Sequence, residues 1–442
     1  MAVYVSNFTN YDELRILLAE KMRRQAWWAS SFGQWIGPNF VKKNNGVSAY
    51  ESISPGGVRQ KWTGAPIEVV NGFVSQGRTE MEIPVLNRLT GRTTFGNQQL
   101  FGKGEVNLYG FRTIKINQQR KSWTKPTGYE AQKVKHWRKD LMMNGASQLT
   151  QWYSDYFTEM ILAGLLNGQS QDVTGATAAG GLGATAYSHP NFFVAGAGRV
   201  SWNSGTGTFT NTPLSAAYEA DVASAIDGCA TGLTYAFLKN LAVEASRLKI
   251  PPLISSKGNR FYAVWLKDAA FQQLLADADF QATLKSLHIS SMDEHPLGNL
   301  GGIYVAGLAI FNDMKLWSAR TNAIDSNVTA GTVEYGPTPT AAERNAGFTV
   351  GNTLTQLDTG AKAIGVLAGA NMLTIGEGEK PEFYEQTEDF GLHYEMESRF
   401  IQSVVRNDVV DKLGTITGTA GKFYENTSSL VFCTNSPFAL NY

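Results

Sequence analysis

Cysteine is almost absent from this chain, with two in 442 residues. Cys229 and Cys433 lie far apart, match no zinc or redox spacing and are too few for a disulfide framework, so a reducing compartment fits best. Charge is also sparse. Asp, Glu, Lys and Arg make up 17% of the chain, against about 25% in an ordinary soluble protein. The 38 basic and 38 acidic residues cancel. A protein that wraps nucleic acid with its whole surface needs a basic excess, so that role is disfavoured. Long hydrophobic runs are missing as well. The longest near-apolar stretch, AIGVLAGANMLTIG from Ala363, is too short and too Gly-rich to span a bilayer. The N-terminus carries acids where a signal peptide carries bases followed by an apolar run. These absences point to a soluble, unsecreted chain without a membrane partner.

Catalytic signatures are equally scarce. There is no HExxH, and His136, His189, His288, His295 and His393 are scattered without ligand spacing. No G-x-S-x-G elbow occurs. Gly421-Lys422 is followed by Phe423 instead of Ser or Thr, so it forms no phosphate loop, and the Gly102/Gly104 pair lies at a hairpin tip instead of between a strand and a helix. The best isolated polar cluster is MDEHPLG, with Asp293 and Glu294 beside His295; a solvated turn explains it better than a metal or catalytic site does. No catalytic, cofactor-binding or metal-ligating residue is assigned.

What the chain does contain is a long amphipathic pattern. From Thr127 to Gly168, apolar residues recur at Val134, Trp137, Leu141, Leu149, Trp152, Tyr156, Met160 and Ala163, with one gap at Gly145. Steps of three and four predict a helix. Thr127 and Glu130 have capping-box spacing, and the Gly-rich run after Leu166 supplies the stop. Some forty helical residues would make a rod of about 60 Å, which needs an extended partner surface. Before it, residues 10–37 read as an amphipathic helix breaking up near Gly33 and Pro38. Its tryptophans either cap a local core or dress an arm that packs on a neighbour. Residues 38–65 read as an extended connector.

From Thr79 the period changes to two. Met81, Ile83 and Val85 alternate with Glu80, Glu82 and Pro84, and the return strand sets Val106, Leu108, Ile114 and Ile116 on one side. A two-stranded ribbon is marginal in water and must lie on something. After the long helix, 168–214 is Gly/Ala/Ser/Thr/Asn-rich and reads as a surface loop or small β-insertion. Helices are predicted at LSAAYEADVASAIDG, LTYAFLKNLAVEASRLK and DAAFQQLLADADFQATLKSL, with RFYAVWL a buried strand and GGIYVAGLAIFND a strand pair. That alternation, over about 231–375, predicts a compact α+β body. A second long hairpin follows, turning at Asp389-Phe390-Gly391, and SSLVFCT near the end reads as a buried strand.

Charge placement adds one hypothesis. Lys133, Lys135, His136, Arg138 and Lys139 crowd the start of the long helix, where the macrodipole disfavours cations. Glu377, Glu379, Glu382, Glu385, Glu388, Asp389, Glu395 and Glu397 crowd the second hairpin. Either both faces are solvated, or they compensate each other within or between subunits. The carboxylates could also hold a divalent cation.

Taken in order, these stretches resemble the major capsid proteins of tailed bacteriophages with the Johnson (Hong Kong 97-like) fold, in the branch of the podovirus-type coat proteins. The similarity rests on EIPVLNRLTGRTTFGNQQLFGKGEVNLYGFRTIKINQQRKSW, YEAQKVKHWRKDLMMNGASQLTQWYSDYF, RFYAVWLKDAAFQQLLADADF, GAKAIGVLAGANML and EQTEDFGLHYEMESRFIQ. It implies an α+β fold divided into an N-terminal arm (1–64), an extended hairpin loop (65–126) and the spine helix of a peripheral domain (127–168). An insertion and connection (169–230), an axial domain (231–375) and a peripheral-domain hairpin with C-terminal segment (376–442) complete it. The implied function is a shell of pentamers and hexamers enclosing double-stranded DNA, located in the virion after synthesis in the host cytoplasm. Portal, scaffolding and decoration proteins are the implied partners. No long coiled coil precedes residue 65, so scaffolding, if used, would be a separate protein. Candidate contacts between subunits are Arg78, Glu82, Arg88, Arg92, Lys103 and Glu105 on the extended loop, Lys135 and Arg138 on the helix, and Glu385 and Glu388 on the second hairpin. Lys103 is also placed to attempt a Lys–Asn isopeptide weld of the kind some such shells use, although no Asn or Glu partner is identifiable. Two alternatives remain open: an encapsulin-like compartment shell, and a metal-dependent enzyme built on the acidic hairpin.

Overall fold

The computed structural model describes residues 16–22, 25, 32–43, 50–53, 59–62, 64–71, 80–86, 109–124, 138–168, 189–206, 208–211, 216–286, 302–312, 332–333, 350–351, 362–388, 393–410, 424–426 and 428–435. In chain order, helix α1 is Gly37–Lys43 and strands β1 to β4 are Ile67–Asn71, Glu80–Leu86, Tyr109–Lys115 and Asn117–Thr124. The long helix α2 is Arg138–Asn167, followed by β5 (Phe192–Val194), β6 (Gly198–Arg199), α3 (Ala216–Asp227) and α4 (Tyr235–Arg247). Next come β7 (Arg260–Leu266), α5 (Asp268–Ala276), α6 (Ala278–Ser286), β8 (Ile303–Val305) and β9 (Leu308–Asn312). The chain then supplies β10 (Lys362–Ala368), β11 (Leu373–Glu388), β12 (His393–Arg406) and β13 (Ser429–Asn435).

These strands make two main sheets and a separate ribbon. One sheet has the order β1-β11-β12-β4, with β1 parallel to β11 and the other pairs antiparallel. The larger sheet runs β8-β9-β7-β10-β13-β5-β6, with Leu253–Ile254 as an eighth strand paired to β7. Its period-two burial is sharp. Trp265, Ile364, Val366, Val431 and Cys433 point to the core shared with the first sheet. Val264, Leu266, Ile310, Leu367 and Phe432 point to a second core covered by Leu238 and Leu241 of α4, Leu274 of α5 and Phe280 of α6. Strands buried on both faces read as continuous apolar runs, which is why RFYAVWL shows so plainly in the sequence.

The 30-residue helix α2 would be about 45 Å long. Residues 127–137, with the proposed capping box, lie outside the described residues. Its end is as expected. The Gly168 N–H bonds the Gly164 carbonyl at 2.9 Å, and Gly168 adopts φ +87°, the left-handed close that glycine permits. The buried stripe is Met142, Ala146, Leu149, Tyr153, Phe157, Met160, Ile161 and Leu165, and it lies on β12. Phe400 of β12 meets Tyr153 at 4.5 Å between ring centroids and Trp152 at 6.1 Å.

Several expectations need correction. Pro38 does not end a helix or begin a connector: it sits in the first turn of α1, where a missing N–H costs nothing. Of the two readings of the tryptophans, the local core holds for Trp35, which packs in this chain's own core edge-to-face with Trp265 at 5.2 Å and Phe311 at 4.8 Å. The stretch from Asp268 to Ser286 is two helices, because Asp277 is extended (φ −68°, ψ 123°). Its carboxylate accepts from the Asp279 N–H at 2.9 Å and from the Tyr235 N–H at 2.8 Å, starting one helix while tying down another. Residues 189–211 are not a surface insertion. Phe192 and Val194 are fully buried, and β5 runs parallel to β13 inside the larger sheet. Finally, 429–435 does not belong with the second hairpin: β13 lies between β10 and β5. Glycine-rich flanks hid the first segment, and only a long-range pairing reveals the second.

Candidate assembly surface

The surfaces expected to carry function are the ribbon and the second hairpin. Strands β2 and β3 pair antiparallel from Glu80↔Lys115 to Leu86↔Tyr109 and join neither main sheet. At its base Lys115 meets Glu80 at 2.9 Å. Ile114 is buried with Val70, Ile116 and Val405, so the root of the ribbon is anchored where β3 passes into β4.

The second hairpin, β11 with β12, is paired from Leu373↔Arg406 to Glu388↔His393, with register shifts around Glu379 and Glu382. Residues 117–124, expected as part of the extended loop, form β4 and add a fourth strand along Glu395 to Gln402. One face of this sheet packs on α2. The other is apolar at its base, where Val70, Ile401 and Val405 meet Ile114 and Ile116. Farther along the hairpin it carries ion pairs: Arg399 reaches Glu379 and Glu382, each at 3.2 Å, and Arg120 reaches Glu397 at 3.0 Å. The Tyr384 hydroxyl donates to Glu382 at 2.8 Å, and that hydrogen bond to a carboxylate raises the phenol's pKa. Exposed pairs of this kind contribute little stability, about 0–1 kcal/mol each. Their effect is to neutralise carboxylates that would otherwise repel across neighbouring strands.

Arg120 is the partner that sequence reasoning missed. The residues gave no signal for it: Gln118 to Thr124 read QQRKSWT, without an apolar period of two, and only the pairing of β4 with β12 makes them a strand. With Glu379 and Glu382 both held by Arg399, the acidic hairpin is an ion-pair lattice, and among the described residues no three His, Cys, Asp or Glu side chains converge as a metal site.

A buried polar line runs beneath α2. The Tyr153 hydroxyl donates to Gln402 Oε1 at 2.7 Å, and Gln119 Nε2 donates to the Gln402 carbonyl at 3.3 Å. At the far end Arg406, 1% exposed, donates from Nη1 to the Leu165 carbonyl at 2.6 Å, while its backbone N–H bonds the Gly168 carbonyl at 2.8 Å. A guanidinium on the last carbonyls of a helix satisfies orphan acceptors and complements the dipole. Helix and sheet are thus locked in one register.

Of the ten expected contact residues, Glu82 lies in β2 opposite Thr113, and Arg138 opens α2. Glu385 lies in β11 opposite Met396, half-buried, and Glu388 ends β11 opposite His393. Arg78, Arg88, Arg92, Lys103, Glu105 and Lys135 lie outside the described residues, as does His295.

No protein-family model matches the sequence, and no curated protein matches it either. Solved structures do. The chain superposes on a capsid chain of Ralstonia phage GP4 with a TM-score of 0.52 and 14% identity, over 86% of this chain and 89% of that one. For the capsid of cyanophage Pam1 the TM-score is 0.52, with 12% identity over 88% and 99% of the two chains. For the head of Helicobacter pylori bacteriophage KHP40 it is 0.51, with 13% identity over 84% and 88%. The chain has the fold of these phage capsid chains. The α+β capsid fold expected from the order of motifs is therefore the one observed, although at these identities sequence alone carries little of the likeness.

Proposed function

We propose that this chain is the major capsid protein of a tailed double-stranded DNA bacteriophage. In this reading it assembles as pentamers and hexamers into an icosahedral shell, is synthesised in the host cytoplasm and resides in the virion. The observation that supports it is the capsid fold shared with GP4 and Pam1 across more than four fifths of the chain. The physical case is consistent with that. A two-stranded ribbon outside both sheets is not stable on its own surface area, and a neighbouring copy supplies the missing support. Obligate interfaces of this type bury more than about 2,000 Å², which suits a chain with only 17% charged residues. The ten charged residues named from the sequence remain the proposed intersubunit contacts, with portal, scaffolding and decoration proteins and the packaged DNA as further partners. The role is structural and needs no catalysis.

Negative-stain electron microscopy of the chain expressed alone and with its neighbouring genes tests the reading. Closed shells, or rings of five or six subunits, are expected. Uniform monomers or small dimers under every condition would overturn it.

A further inference from the structure

His189 is 0% exposed and sits where the segment entering β5 meets the start of β13. Its ring is held at both nitrogens. The Asn191 N–H donates to Nδ1 at 3.1 Å, so Nδ1 is an acceptor and the ring proton is on Nε2, which donates to Ser429 Oγ at 3.0 Å. That tautomer assignment follows from the hydrogen-bond geometry. The chain around it is pinned in turn. Asn191 Nδ2 donates to the Ser429 carbonyl at 3.1 Å, and the Tyr218 hydroxyl donates to the His189 carbonyl at 2.7 Å. Arg199 donates to the Pro190 carbonyl at 3.1 Å and to Asn191 Oδ1 at 2.7 Å, while its guanidinium lies over Trp202 and Phe209.

A second proton on this ring meets three obstacles. Nδ1 would become a donor facing the Asn191 N–H. The charge would be fully buried. It would also stand near two guanidiniums, Arg406 of β12 and Arg199 of β6. Burial, then Arg406, then Arg199 hold the His189 pKa well below its ordinary value. Among the described residues, the other ionisable groups facing the segment are Tyr218 of α3, whose pKa burial pushes upward, Asp221 of α3, which accepts from Ser201 and Asn211, and the buried thiols of Cys229 and, on β13, Cys433. From β13 the neutral Ser429 faces it.

We propose that His189 is a proton-operated latch: charging its ring releases residues 189–211 from β13 and from the junction of the two sheets. The sign follows from linkage. With the segment released, the ring titrates near about 6.5; with it docked, the ring stays neutral to lower pH. The released form therefore binds more protons below about pH 6.5. Its population rises as pH falls through that value, by up to tenfold per pH unit, and is independent of pH above it.

The chain carries its own reporter. Cys229 Sγ is buried, 4.0 Å from the Ala195 carbonyl oxygen and 3.8 Å from that of Cys433, so release of the segment uncovers it. The test is amide hydrogen exchange over 189–200, corrected for intrinsic rates, together with labelling of Cys229 by a pyridyl disulfide that stays reactive in acid. Both are read on the full unassembled chain from about pH 8 to 5. Opening is expected to be flat above about pH 6.5 and to steepen below it. His189→Gln should abolish the slope. Ser429→Ala should speed opening at every pH and keep the slope, because the ring still titrates. A wild-type profile that is flat down to pH 5, or a slope that survives in His189→Gln, would overturn the latch; should His189→Gln not fold, loss of the slope in Ser429→Ala does so. Opening is measured before assembly, so the outcome is independent of whether shells form.

Discussion

Gly145 and Gly164 lie on the face of α2 that meets the sheet, and Gly164→Ala gives the sharpest test of that packing. In an exposed helix this change stabilises by about 1 kcal/mol, because alanine loses less backbone entropy than glycine. Here a Cβ would stand 2.9 Å from Val404 Cγ1, 3.2 Å from Val404 Cβ and 3.2 Å from the Val404 carbonyl oxygen. Two of those atoms belong to the backbone or its first branch, in a fully buried strand residue, and cannot swing away. Overpacking of this kind costs about 1–3 kcal/mol, and relief would require lifting α2 off Tyr153–Gln402 and Arg406–Leu165. The expected net effect is destabilisation by about 1–2 kcal/mol. Urea unfolding of the unassembled subunit measures it, with Asn144→Ala, at an exposed position of the same helix, as the control expected to be neutral or slightly stabilising. Val404→Ala in the Gly164→Ala background should recover part of the loss, a coupling that only direct contact produces. If Gly164→Ala is stabilised like an exposed helix position, the account of helix and sheet in close contact is wrong.

Three further outcomes follow from the same structure. Tyr153→Phe leaves the buried Gln402 Oε1 without its donor and should cost about 1–3 kcal/mol in the same unfolding assay, with little change in far-ultraviolet dichroism. Trp35→Ala empties a site lined by Phe40, Trp265 and Phe311 and should cost about 3–5 kcal/mol; a loss below about 1 kcal/mol would mean that Trp35 belongs to a mobile arm. Asp277→Ala removes a helix cap and should cost about 1 kcal/mol at neutral pH. The Tyr235 N–H bond holds the Asp277 pKa below its ordinary value, so the contribution is present above the ordinary carboxylate range and fades as pH falls through the folded value. Wild type and variant should converge in acid, and a gap that stays constant down to the lowest pH would refute the assignment.

Much of this architecture is legible in the residues because it is local. Leu149, Met160 and Gly168 fix one face and the end of α2, and strict alternation or an unbroken apolar run marks β2, β7 and β13. What the sequence conceals is chiefly non-local or double-valued. Gly145 interrupts the apolar period and looks like a flaw in the stripe, yet it is where the helix comes nearest to Trp123 and Met396, each of which would stand 2.9 Å from a Cβ added there. Pro38 can stop a helix or start one, and Asp277 can ride on a helix or cap the next. In each case a partner elsewhere in the chain decides. The same holds for Phe192-Phe193-Val194: a glycine-rich neighbourhood argues for a loop until β13, more than two hundred residues later, supplies the strand that buries it.

The charge pattern teaches the converse lesson. Fourteen residues of β12 and sixteen of β11 carry a surplus of carboxylates that, read along the chain, invites a metal or a distant basic helix. Read across the strands, Arg399 reaches Glu379 and Glu382 and Arg120 reaches Glu397, so part of that surplus is ordered by the sheet's own ion pairs. Such a surface is weakly stabilising but directional, since each guanidinium fixes where its carboxylates point. The buried side of this sheet is locked to α2 through Tyr153, Gln402 and Arg406, so its outer side is held in one geometry. In the proposed shell, the polar pairs on that outer side would act on which copy docks and at what rate more than on how firmly the chain folds.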